Sequence, residues 1–303
     1  MSPEIKKKSE TMISTELIKR IQTIQVKTNH LVNTVMMGEY ISAFKGHGME
    51  FNDVREYIPG DDIRLIDWNV MARMGYPFVK GFQEERELTI MLIVDVSSSG
   101  EFGSVNRLKH EVAAETASIL AFSAIKNNDK VGLILFSDQI EHVIPPKKGK
   151  GHIWNVIRSI LSFIPEGRKT DFNPPLEYLL HAQKRKTVTF LISDFQVINH
   201  EKILNHANQK HDLISIVISD PRENELPADS GLIHLEDAET GESVLVDTHD
   251  EELRNRFLKI KKEERNRLKQ FLAANSIDKI EISVDRPLTE PIARFFKMRD
   301  KRY

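Results

Sequence analysis

Four stretches of the chain are apolar almost without a break: Leu88 to Asp95, Val131 to Phe136, Thr187 to Ile192 and Leu213 to Ile218. A strand with one wet face alternates apolar and polar residues, so runs of this kind predict strands covered on both faces. Between them lie segments of helical spacing. Asn106 to Lys126 is rich in Ala with a continuous apolar stripe, and Ile153 to Phe163, Pro175 to Ala182 and Glu201 to Gln209 are shorter helices. Strands alternating with helices predict an α/β fold with a doubly wound, mostly parallel sheet.

The flanks read differently. From Thr11 to Met37, Ile13, Leu17, Ile18, Ile21, Ile24, Val26 and Leu31 recur near helical spacing and predict one or two amphipathic helices. Gly38, Gly46, Gly48, Pro59, Gly60, Gly75 and Pro77 then punctuate Gly38 to Phe82, which reads as turns and short strands. After Asp220-Pro221, the turn Glu239-Thr-Gly-Glu242 predicts a hairpin inserted at about residues 232–246. Asp250 to Ala273 reads as a long charged helix with a solvated face, and Lys279 to Val284 as a last strand. The expected organisation is a small N-terminal helical and short-strand region over 1–85 and an α/β domain over 86–303.

Composition narrows the function classes. The 303 residues are 40% hydrophobic and 29% charged, ordinary for a globular chain, and 43 basic against 45 acidic residues give a formal net charge of -2. No global field draws such a chain to nucleic acid, and the Pro146-Lys-Lys-Gly-Lys150 loop reads as a solvated turn. Cys is absent, which removes disulfides, thiolate catalysis and Cys-ligated zinc. No window reaches the roughly 18 consecutive apolar residues of a membrane span, and Lys6-Lys7-Lys8 has no apolar core behind it. A cytoplasmic location is expected.

In doubly wound sheets, ligands bind beyond the carboxyl ends of the strands. Three positions are polar here: the first strand ends in Asp95-x-Ser97-x-Ser99, the loop before the Pro175 helix holds Thr170-Asp171, and the third strand ends in Ser193-Asp194-Phe195. Asp95, Ser97, Ser99, Thr170 and Asp194 together offer two acids and three hydroxyls. That is an oxygen set suited to Mg²⁺, with Mn²⁺ or Ca²⁺ as alternatives. Asp95 and Asp194 either ligate directly or hold bound waters, and an open position could take a partner's carboxylate. Any one of these residues alone would read as a helix cap or strand terminator. His206 and His211 read as surface residues.

The set resembles the metal-ion-dependent adhesion site of von Willebrand factor A domains. A longer pattern, Gly48-x-Glu50-Phe51-x-Asp53-x-Arg55-x-Tyr57-x-Pro59-Gly60-Asp61-Asp62-x-Arg64-x-Ile66-Asp67-Trp68 with Ala72-Arg73, resembles the signature of the bacterial family called domain of unknown function 58. The resemblance extends from about Gly38 to Phe296. It implies a von Willebrand A-like domain that is not an enzyme and works with a MoxR-class AAA+ ATPase in chaperone-like assembly or metal insertion. Read without the family, Arg55, Arg64, Asp67, Trp68 and Arg73, with Asp53, form either an ion-pair network around Trp68 or, on an exposed face, a partner-binding surface.

Rival activities lack their residues. A phosphatase of the haloacid dehalogenase type needs a second Asp where Ser97 stands, though a metal-dependent phosphohydrolase with another nucleophile remains the alternative. Walker, His-Glu-x-x-His and Gly-x-Ser-x-Gly motifs are absent.

Overall fold

The computed structural model describes residues 40, 43–44, 50–83, 87–104, 107–196, 200–228 and 230–302. The helix expected over 11–37 lies outside the described residues, as do Gly46, Gly48 and the side chain of Asp53. Strands β1 (Glu50–Glu56) and β2 (Phe78–Gln83) pair antiparallel, and helix α1 (Trp68–Met74) stands between them in sequence. Asp67 starts α1 by accepting the N–H groups of Asn69 and Val70. Gly75 ends it at φ 81°, a conformation that suits a residue without Cβ.

The main sheet holds β3 (Thr89–Asp95), β4 (Lys130–Phe136), β5 (Ile140–Lys147), β6 (Val188–Ser193), β7 (Asp212–Ser219) and β10 (Asp278–Ser283). Their order is β10-β7-β6-β3-β4-β5, parallel throughout except for β5. The helices are α2 (Lys109–Lys126), α3 (Lys150–Ser162), α4 (Asn173–Ala182), α5 (Glu201–Lys210), α6 (Glu251–Ala274) and α7 (Thr289–Asp300). Between β7 and α6, β8 (Leu232–Glu236) and β9 (Ser243–Asp247) form a separate two-stranded hairpin. The expected doubly wound, mostly parallel α/β fold is the one observed.

The four apolar runs are strands because both faces are covered. Along β3, Ile90, Leu92 and Val94 enter one core with Val112, Leu120, Ile153 and Phe296. Met91 and Ile93 enter the other with Leu176, Leu204 and Leu272. Each such side chain contributes about 1.5–3 kcal/mol by leaving water. Tyr40, Ala43 and Phe44 also pack into the first core, with the Phe44 ring 5.7 Å from that of Phe296.

Two expectations change. The expected turn at Pro146–Lys150 begins as strand, since β5 extends through Pro146 to Lys147. It is the antiparallel edge of the sheet, where a residue without an N–H costs little. His211 is buried, not on the surface, with Nδ1 3.0 Å from Thr187 Oγ1. It closes α5 and is drawn under the start of β7, while His206 is exposed as expected.

Candidate cation site

From β3 the chain runs outward to β4 and β5, then crosses back to lay β6 on the other side of β3. The strand order therefore reverses between β3 and β6, and at that point their carboxyl ends part. Asp95 closes β3 and Ser193 closes β6.

Asp95 is buried and held from two sides. Its Oδ1 accepts the Ser97 N–H at 2.9 Å, and its Oδ2 accepts the Ser193 hydroxyl at 2.6 Å. Ser193 Oγ in turn accepts the N–H of Phe195 at 3.2 Å. That tight turn puts Phe195 at φ 54°, a strained conformation for a bulky residue that costs on the order of 1–3 kcal/mol. Burial of Phe195 against Phe172, ring centroids 5.2 Å apart, offsets the strain.

Three hydroxyls gather beside this carboxylate. Ser97 Oγ lies 3.1 Å from Ser99 Oγ and 2.9 Å from Thr170 Oγ1. Thr170 arrives on the loop between α3 and α4, anchored by the Phe172 ring 5.8 Å from Phe136 and by Ser98 N–H donating to the Arg168 carbonyl at 3.1 Å. Gly167 crosses Ser137 and Asp138 so closely that a Cβ there would collide with both side chains. Thr170 Oγ1 also lies 2.9 Å from Oε1 of Glu239, at the turn of the β8–β9 hairpin. A hydroxyl has one proton, so it can donate to Ser97 or to Glu239 at a time.

Asp194 stands at the same strand ends but is already paired. Lys109 Nζ is 2.7 Å from Asp194 Oδ2 and 2.5 Å from Glu223 Oε1, and the lysine is almost wholly buried. A cation in the first turn of α2 opposes the helix dipole, so the two carboxylates are what make the position tenable. Burial acts to lower the Lys109 pKa, but the charges of Asp194 and Glu223 outweigh it and the net shift is upward. Asp220, fully buried, takes the N–H and hydroxyl of Ser104 and so ties the loop before α2 to the end of β7.

Burial, reinforced by the charge of Asp194, pushes the Asp95 carboxyl up to about 6, and hydrogen bonds from Ser193 and Ser97 only partly oppose it. Glu239 is raised too, first by burial, then by Asp194 and Asp237, against the Thr170 hydrogen bond. A small cleft lined by Asp95, Ser99, Gly100, Lys109, His110 and Asp194 borders the cluster.

A hard cation fits this donor set. Among the described residues no group of three or more His, Cys, Asp or Glu forms a cage. The donors are instead one carboxylate and three hydroxyls, all oxygen, a set that leaves waters on Mg²⁺. Asp95, Ser97, Ser99 and Thr170 are brought together; Asp194 faces them from behind its pairing with Lys109. Ser193, named only with its strand end, and Lys109, Glu223 and Glu239 had no site role from sequence. Lys109 left one signal, a basic residue in a helix's first turn.

The N-terminal residues belong to the β1–β2 unit. Arg55 pairs with Asp61 through both guanidinium nitrogens, at 2.8 and 2.7 Å. Asp67 spends its carboxylate on capping α1, and Arg64 and Arg73 are exposed. Trp68 is 65% exposed, and Ile58, Ile63, Met74 and Tyr76 are exposed on the same unit.

Known proteins bear on this arrangement. The chain is 30% identical over 229 residues to the uncharacterized protein Rv1480 of Mycobacterium tuberculosis, covering 75% of this chain and 72% of that one. Similar solved structures include BatB from Bacteroides thetaiotaomicron, at 13% identity, TM-score 0.45, and 71% and 99% coverage of the two chains. The SpRpn10 VWA domain matches at 12% identity, TM-score 0.41, and 68% and 94% coverage. At those scores the fold rests on this chain's own strand order. The family described as "Protein of unknown function DUF58" matches residues 53–267, and the chain belongs to that family.

Proposed function

We propose that the protein is a non-enzymatic interaction module whose Asp95, Ser97, Ser99 and Thr170 hold Mg²⁺, with Asp194 behind them, and that the cation takes a carboxylate from a protein partner. The observation that carries this reading is the cluster of the Ser97, Ser99 and Thr170 hydroxyls beside a buried Asp95 carboxylate that Ser97 and Ser193 hold in place. A bound Mg²⁺ would supply a positive centre with an open position for a partner's oxygen. Asp95 and the hydroxyls would orient it, and Ser193 would fix Asp95.

A MoxR-class AAA+ ATPase is the partner class that the family resemblance implies, and a cytoplasmic location accompanies it. Among the described residues no helix is long and apolar enough to cross a membrane. Arg55, Arg64, Asp67, Trp68 and Arg73 would give a second contact surface, since exposed Trp and Arg are favoured at binding hot spots. Capture of a MoxR-class AAA+ ATPase, in Mg²⁺ and in chelator, tests the partner. Retention lost in chelator supports the reading, and retention indifferent to metal removes it. Turnover of generic phosphoesters in Mg²⁺ that Asp95→Ala abolishes would replace the module with a phosphohydrolase.

A further inference from the structure

The β8–β9 hairpin is a two-stranded ribbon with little of its own to hold it. Leu232, Val244 and Leu245 are exposed, Val246 is buried, and a lone hairpin is marginally stable in water. Its turn is nevertheless built with care. Asp237 Oδ1 accepts the N–H groups of Glu239 and Thr240, and Gly241 sits at φ 72°, its N–H donating to the Asp237 carbonyl. This fixed turn points Glu239, half-buried, at Thr170, which stands 73 residues from Ser97 and 69 from Glu239 in sequence.

From this geometry we propose that Glu239 is a positioning residue of the cation site and that the hairpin is latched to the site through it. The inference rests on the cation reading above. When Thr170 gives its proton to Glu239, its lone pairs face Ser97 and the space beside Asp95, which is the orientation a cation ligand needs. A cation drawing on those lone pairs strengthens the O–H···carboxylate bond in return. Binding and hairpin docking therefore favour each other, and linkage makes the coupling reciprocal. The site then reports its occupancy on the hairpin, which carries the exposed Leu232, Val244 and Leu245.

The test uses the full chain with Mn²⁺ as probe, following hydrogen exchange over residues 232–247 and Mn²⁺ affinity in the wild type and Glu239→Ala. Mn²⁺ should slow exchange of the wild-type hairpin several-fold, should not slow it in Glu239→Ala, and should bind the variant about ten-fold more weakly. Glu239 lies on a half-exposed turn, so the substitution spares the core. If Mn²⁺ binds the wild type but neither hairpin exchange nor affinity depends on Glu239, the latch is wrong and the cation site stands. If Mn²⁺ does not bind the wild type, both fall together.

Discussion

Ser193 Oγ donates a 2.6 Å hydrogen bond to Asp95 Oδ2 and thereby joins the carboxyl ends of β6 and β3 where the sheet reverses direction. The same oxygen accepts the N–H of Phe195, so one hydroxyl holds both the candidate ligand and a strained turn. Ser193→Ala should cost about 1–3 kcal/mol, because it strips a buried carboxylate of a donor and a buried N–H of its acceptor. Urea unfolding would show it as a lower midpoint at unchanged slope. A loss below about 0.5 kcal/mol would mean that water replaces the hydroxyl.

Lys109 offers a larger effect. Lys109→Met leaves Asp194 and Glu223 facing each other without their buried cation, and should destabilise the fold by about 3–5 kcal/mol. The triple replacement that also neutralises both acids should recover much of that loss, since the desolvation of all three charges disappears together. Thermal melts of the single and triple variants separate the two cases.

His211 should make the fold sensitive to acid. Burial first, then the charges of Lys210 and Lys186, push its pKa down to about 4 from an ordinary value of about 6.5. Between those values the unfolded chain binds a proton that the folded chain does not, so this group's share of stability falls as pH drops from about 6.5 toward 4. Asp129, raised to about 6 chiefly by burial, acts with the opposite sign over part of that window, so the informative quantity is a difference. Wild-type stability minus that of His211→Asn should decline toward low pH, and a flat difference would refute the assignment.

Trp68→Ala should leave stability within about 0.5 kcal/mol of the wild type, because the ring is 65% exposed. Its effect is expected on partner capture instead. Unchanged capture by a folded Trp68→Ala, Arg64→Ala variant would remove this surface from the account.

Much of the fold was legible because β3, β4, β6 and β7 are buried on both faces and carry no polar alternation. Strand β5 was hidden by Pro145 and Pro146, which an edge tolerates and a central strand does not. At the candidate site, Asp95, Ser97 and Ser99 drew notice because strand ends of a doubly wound sheet are ligand positions by topology, and Thr170 as a hydroxyl in the loop before α4. Lys109, Glu223 and Glu239 could not, since their partners lie 69 to 114 residues away and nothing local marks the pairing. His211 was misjudged because a polar residue near a helix end reads as a surface residue, while here Thr187 accompanies it into the interior.

Titration calorimetry with Mg²⁺ and Mn²⁺, on the wild type and on the Asp95→Ala, Asp194→Ala double variant, reaches the central claim most directly. The account expects saturable binding of one cation by the wild type and none by the double variant. Equal heats from the two proteins would contradict it.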